Sequence, residues 1–159
     1  MKTKFDHKSL CDFISDLPLF HGLDRREVDI LADYMNVVEL DAGQTLFNQW
    51  DRADYVCFIE NGALNVMKKS SPDIYRPITT LERGRSIGEM SIIDNFPRSA
   101  TVVARQSSRL ILLYRDAFQR LMDEHNEIGV NILKGLARLL SLNLKKTSSR
   151  IADNMLPLG

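Results

Sequence analysis

The chain has 159 residues, 44% of them hydrophobic, and its 21 Lys and Arg are balanced by 21 Asp and Glu. That length supports one domain burying about two-thirds of its unfolded surface, and zero net charge leaves no basic face for sequence-independent attraction to nucleic-acid phosphates. Cys11 and Cys57 stand outside any metal-like or Cys-x-x-Cys spacing, no apolar run nears the roughly 20 residues that span a bilayer, and the opening residues lack a signal peptide's apolar core; a reducing cytoplasm is expected, with no nucleic-acid binding by this chain alone and no membrane insertion.

Residues 1–36 read as helical. Leu10, Phe13, Ile14 and Leu17 recur at helical spacing up to Pro18, and Asp24 with Glu27 has the spacing of a capping box before Val28, Ile30, Leu31 and Tyr34. Residues 37–114 read as β. Tyr55-Val56-Cys57-Phe58-Ile59, Ala63-Leu64-Asn65-Val66-Met67 and Leu110-Ile111-Leu112-Leu113-Tyr114 are short apolar runs, and Asp41-Ala42-Gly43, Glu60-Asn61-Gly62, Ser70-Ser71-Pro72-Asp73 and Glu82-Arg83-Gly84 are turn signals. Many short strands at this spacing predict a jelly roll, flanked by the N-terminal helices and a long C-terminal helix. The Gly88–Asp94 stretch interrupts the strands and reads as one helical turn. Residues 115–155 are helical again, with a break at His125-Asn126, and Ile128, Ile132, Leu133, Leu136, Leu139, Leu140, Leu142, Leu144 and Ile151 form an apolar surface wider than packing on one barrel requires.

Residues 87–101 carry the chemistry. Gly88 admits a ligand where a Cβ would block it, and Glu89 offers a carboxylate to a sugar hydroxyl. Met90 and Ser91 continue a turn whose amides can face an anion. Arg98 supplies a planar fork matched to two phosphate oxygens, and small Ser99 and Ala100 leave room beside it. Together these residues predict a pocket for a sugar phosphate.

The pattern Gly-Glu-x-Ser-x-x-x-x-x-Pro-Arg-Ser-Ala-Thr resembles the phosphate-binding cassette of cyclic-nucleotide-binding domains, the family of bacterial catabolite activator protein and the regulatory subunits of cyclic-AMP-dependent kinase. Further landmarks follow the family's order: Pro18-Leu19-Phe20, Gly22-Leu23, Gly43, Asp51, Ala53-Asp54, Gly62 and Gly84. The resemblance implies a non-enzymatic sensor of a cyclic mononucleotide, cyclic AMP before cyclic GMP, with no cofactor. It implies that Gly88, Glu89, Met90, Ser91, Arg98, Ser99 and Ala100 bind the ligand, Arg98 with the amides near Ser91 and Ser99 taking the phosphate and Glu89 the ribose 2′-hydroxyl. In the activator branch the long helix also caps the base and pairs with a twofold mate. This implies a homodimer through that helix, an unnamed effector protein, and a base contact at Asn143, with Leu139, Leu140 or Thr147 in its place if the register slips by a turn.

Plainer roles stand beside these. Glu89 also suits a turn cap, Ser99 a strand residue, Asn143 a dimer-register residue and the Arg83/Arg85 pair a solvated loop. The three histidines are scattered, so no metal cluster is expected. Trp50 replaces the family's usual Gly before Asp51, and because a bulky residue disfavours positive φ, this turn is expected to change shape at a place away from the cassette. The residues after the long helix, Asn154 to Gly159, leave no room for a helix-turn-helix segment. Two alternative functions remain: a ligand-independent dimerisation or adaptor module with a vestigial cassette, or a site for cyclic GMP or another nucleotide phosphate, including a jelly-roll enzyme using Glu89 as base.

Overall fold

The computed structural model describes residues 5–155; residues 1–4 and 156–159, on which the readings of no signal peptide and no helix-turn-helix partly rest, lie outside the described residues. Helix α1 (His7–Asp16) starts where the Asp6 carboxylate accepts from the Ser9 N–H at 2.8 Å, and it stops before the 3-10 turn Pro18–Phe20. Helix α2 (Arg25–Ala32) begins with both bonds of the capping box: Glu27 N–H to Asp24, and Asp24 N–H to Glu27.

Eight strands follow: β1 (Asn36–Leu40), β2 (Thr45–Phe47), β3 (Tyr55–Asn61), β4 (Ala63–Ser71), β5 (Ile74–Glu82), β6 (Ser86–Ile87), β7 (Thr101–Ala104) and β8 (Ser108–Tyr114). They form two antiparallel four-stranded sheets in the orders β1-β8-β3-β6 and β2-β7-β4-β5. Strands β3 and β8 read as unbroken apolar runs because both of their faces are covered. Cys57, Ile59, Leu110 and Leu112 point between the sheets with Phe47, Leu64 and Val102, whereas Val56, Phe58, Ile111 and Leu113 point outward into a second core shared with α1, α2 and the C-terminal helices. Side chains alternate across a strand, so successive residues serve the two cores in turn.

Helix α3 (Arg115–Glu124) ends at the predicted break, with His125 leaving helical geometry, and α4 (Asn126–Met155) follows directly. Ile128, Ile132 and Leu136 of α4 enter the chain's own core. Gly135 permits that docking, since a Cβ there would lie 2.2 Å from the Leu19 carbonyl oxygen. From Ser141 onward every described α4 residue is exposed, including Leu142, Leu144 and Ile151.

The turn before β3 departs from expectation. Trp50 does adopt the left-handed backbone, at φ 78°, and the turn lies against the cassette rather than away from it. Trp50 N–H donates to the Arg98 carbonyl at 2.8 Å, Arg98 N–H donates to the Asp51 carbonyl at 2.9 Å, and Asp51 closes the turn through Asn48. These bonds override a local preference of about 1–2 kcal/mol. The indole is 75% exposed, so its removal costs little packing. Trp50→Gly is expected to raise unfolding stability by about 0.5–1 kcal/mol, the strain relieved less the added entropy of an unfolded glycine. Urea denaturation checks this, and a lower midpoint for the variant would refute it.

Candidate functional site

The stretch between β6 and β7 forms one wall of a cavity of about 440 Å³. Gly88 takes the left-handed conformation (φ 80°, ψ 32°) and turns the chain out of β6 into a 3-10 turn, Glu89–Ile92. Gly88, Glu89, Met90, Ser91, Arg98, Ser99 and Ala100 all line the cavity, joined by Phe47, Ile87, Val102 and Phe96. A ligand of this size class meets apolar walls with a few convergent polar groups.

Arg98 is the electrostatic centre. It is 4% exposed, and its guanidinium lies 4.2 Å from the centre of the Phe47 ring and 4.4 Å from that of Tyr55. Nη2 donates to the Tyr55 carbonyl at 2.8 Å and Nη1 to Ser91 Oγ at 3.2 Å, whereas the buried Nε has no partner. Among the described residues no carboxylate stands within ion-pairing distance of it, although four arginine–carboxylate ion pairs form elsewhere among them. Burial accordingly draws the guanidinium below its ordinary pKa. The same burial pushes the Tyr55 hydroxyl up to about 12, which keeps that neighbour neutral. Unpaired buried cations are costly, and a stack between aromatic faces recovers only part of the lost hydration.

The Ser91 N–H donates to the Gly88 carbonyl at 2.9 Å, so that amide is already paired. The amides of Glu89, Met90, Ser99 and Ala100 carry no bond among the described residues and are the donors left for an anion. Glu89 Oε1 accepts from the Ser86 hydroxyl at 2.5 Å, leaving Oε2 as an acceptor. Asn143 does not reach this cavity. With Leu139 and Lys146 of α4 it borders an adjacent cavity of about 300 Å³, and Glu89 is the wall common to both. Arg83 lies in an exposed loop and donates to the Glu60 carboxylate at 2.8 Å.

Sequence reasoning missed Phe47, Tyr55 and Arg115. Arg115, the first residue of α3, donates from Nε to the Ser91 carbonyl at 2.6 Å, and from its two terminal nitrogens to the Asn95 side chain and to the carbonyls of Ala53 and Asp94. It fastens the cassette backbone to the start of the C-terminal helices. Arg115→Met is expected to cost about 2–3 kcal/mol of stability and about tenfold in ligand affinity. Paired denaturation and titration check this, and unchanged affinity would show that the cassette holds its shape without the anchor.

Comparison with known proteins gives one consistent result. The family model for the cyclic nucleotide-binding domain matches residues 37–125. A cAMP-dependent protein kinase regulatory subunit from Aspergillus fumigatus is 29% identical over 129 residues, covering 80% of this chain and 30% of the relative. The cyclic AMP receptor protein of Thermus thermophilus is 28% identical over 149 residues, covering 89% of this chain and 69% of the relative. The crystal structure of a cyclic nucleotide-binding domain from Methylobacillus flagellatus superposes with a TM-score of 0.77 at 29% identity, over 94% of this chain and 84% of that one. The chain thus spans less than a third of the length of the kinase subunit.

Proposed function

The chain belongs to the cyclic nucleotide-binding domain family, and from that membership we propose that it is a non-enzymatic sensor of a cyclic purine mononucleotide, cyclic AMP in preference to cyclic GMP. The observation that carries this reading is the buried Arg98 cation with no carboxylate partner among the described residues and an unbonded Nε. A cyclic phosphate in the cavity neutralises that charge and meets the free amides of Glu89, Met90, Ser99 and Ala100. Glu89 Oε2 takes the ribose 2′-hydroxyl, and Phe47, Ile87 and Val102 supply apolar surface.

The output is movement of α4. No α4 residue lines the cassette cavity, yet Leu139, Asn143 and Lys146 face the far side of Glu89. Ligand on Glu89 therefore acts at the wall that α4 borders, and closure switches the protein only if the ligand binds the closed state more tightly. Slower amide exchange over residues 139–151 on saturation checks this; unchanged exchange would rule it out. Leu142, Leu144 and Ile151, each more than half exposed, are the surface for a twofold mate, and sedimentation would read a monomer if that pairing is wrong. An effector protein then reads α4, in the cytoplasm. Among the described residues no helix is long and apolar enough to cross a membrane.

Calorimetric titration with cyclic AMP and then cyclic GMP tests the ligand. Micromolar or tighter binding, about −8 kcal/mol or better, is expected for cyclic AMP. A tenfold advantage for cyclic GMP, about 1.4 kcal/mol, overturns the selectivity. No heat with either ligand leaves the domain a ligand-independent adaptor.

A further inference from the structure

Far from the cassette in sequence, helix packing gathers three metal-ligating side chains that the sequence scatters. His7 and Cys11 stand four residues apart on α1 and so share one face, and α2 brings Asp29 opposite them. His7 Nε2 lies 2.6 Å from Asp29 Oδ1, and Cys11 Sγ lies 3.5 Å from His7 Nε2 and 3.9 Å from Asp29 Oδ1. Cys11 is 1% exposed and forms the floor, whereas the His7 and Asp29 side chains are 51% and 64% exposed and form an open rim. We propose that His7, Cys11 and Asp29 are a three-ligand site for a borderline divalent cation of the zinc class, which clips α1 to α2.

The donor set selects the ion. One sulfur, one imidazole nitrogen and one carboxylate oxygen suit zinc, and a lone carboxylate does not suit calcium or magnesium. Metal–ligand bonds of about 2.0–2.3 Å in a tetrahedron set donor–donor separations of roughly 3.3–3.7 Å. The two sulfur separations already lie near that range. Only the His7–Asp29 contact must open, and both side chains are exposed enough to turn. On binding, the Cys11 thiol loses its proton to solvent, neutral His7 offers the Nε2 lone pair, and the thiolate and carboxylate charges balance the dication. A water takes the fourth position. Without an ion, burial and then the Asp29 charge hold the thiol above its ordinary pKa. A free nucleophilic role for Cys11 is thereby disfavoured.

Metal-stripped protein titrated with Co²⁺ tests the site, because a thiolate ligand gives Co²⁺ a near-ultraviolet charge-transfer band that Zn²⁺ then bleaches. One equivalent of Co²⁺ is expected to develop the band, and Cys11→Ser to abolish it. Zn²⁺ affinity, read by competition with a chromophoric chelator, is expected to fall at least about tenfold in His7→Gln and in Asp29→Asn. Both are rim positions, so these variants keep the test open should Cys11→Ser fold poorly. No band at millimolar Co²⁺, a band that survives Cys11→Ser, or unchanged Zn²⁺ affinity in the two rim variants overturns the proposal. None of these readouts depends on nucleotide binding.

Discussion

Arg98→Ala is expected to weaken cyclic AMP binding by about 100- to 1,000-fold, about 3–4 kcal/mol, while the unliganded protein stays folded. Truncating one partner of a buried charge pair typically costs about 2–5 kcal/mol, much of it from leaving the other charge desolvated and unpaired. Here that stranded charge is the phosphate. In the unliganded protein Arg98 is itself the stranded charge, 4% exposed and with no carboxylate in ion-pairing distance among the described residues. Arg98→Met, which fills the space between Phe47 and Tyr55 with an apolar chain, is therefore expected to raise unliganded stability by about 1 kcal/mol while removing binding. Denaturation and titration of the same samples separate the two effects. Binding within threefold of the parent, or a marked loss of stability in Arg98→Met, would mean that Arg98 holds the fold together rather than serving a ligand.

Gly88→Ala attacks the same residue from the backbone side. At φ 80° an alanine meets left-handed strain of about 1–2 kcal/mol. Its Cβ also falls 2.3 Å from Arg98 Nη1 and 3.2 Å from both Ser91 Oγ and the Tyr55 carbonyl oxygen. The guanidinium must move, and it loses its two donor bonds in doing so. A stability loss of about 2–3 kcal/mol and an affinity loss of about 10- to 100-fold are expected. Arg98→Ala removes the clash, so in that background Gly88→Ala is expected to cost only the backbone strain, less than it costs in the parent. Strict additivity of the two changes would show that the two groups do not meet.

What could be read from residues alone was what depends on short range. The Asp24–Glu27 capping box and the helical turn after Gly88 are set within a few positions, and the cassette spacing from Gly88 to Ala100 is carried on one continuous segment. The runs of β3 and β8 were legible as strands, but that each serves two cores depends on the helices that cover their outer face. The stack around Arg98 was not, because Phe47 and Tyr55 arrive from strands that the folded sheets bring beside the cassette. Trp50 shows local preference yielding to tertiary bonds: its residue type argues against positive φ, and two backbone hydrogen bonds to Arg98 impose it. Asn143 depended on the register of a long helix, and the fold sets it beside the neighbouring cavity that shares Glu89. His7 and Cys11 share a helical face in any reading, but Asp29 joins them only when α1 lies on α2.

The Arg98 Nε–H, buried and without a partner among the described residues, reports most directly on the proposed phosphate contact. In a ¹H–¹⁵N spectrum of the labelled protein, the arginine side-chain signal missing from Arg98→Lys identifies this group. Saturation with cyclic AMP is expected to shift that signal, and adenosine, which lacks the phosphate, to leave it in place. An unmoved signal under saturating cyclic AMP, or an equal shift with adenosine, would contradict the assignment of Arg98 to the phosphate.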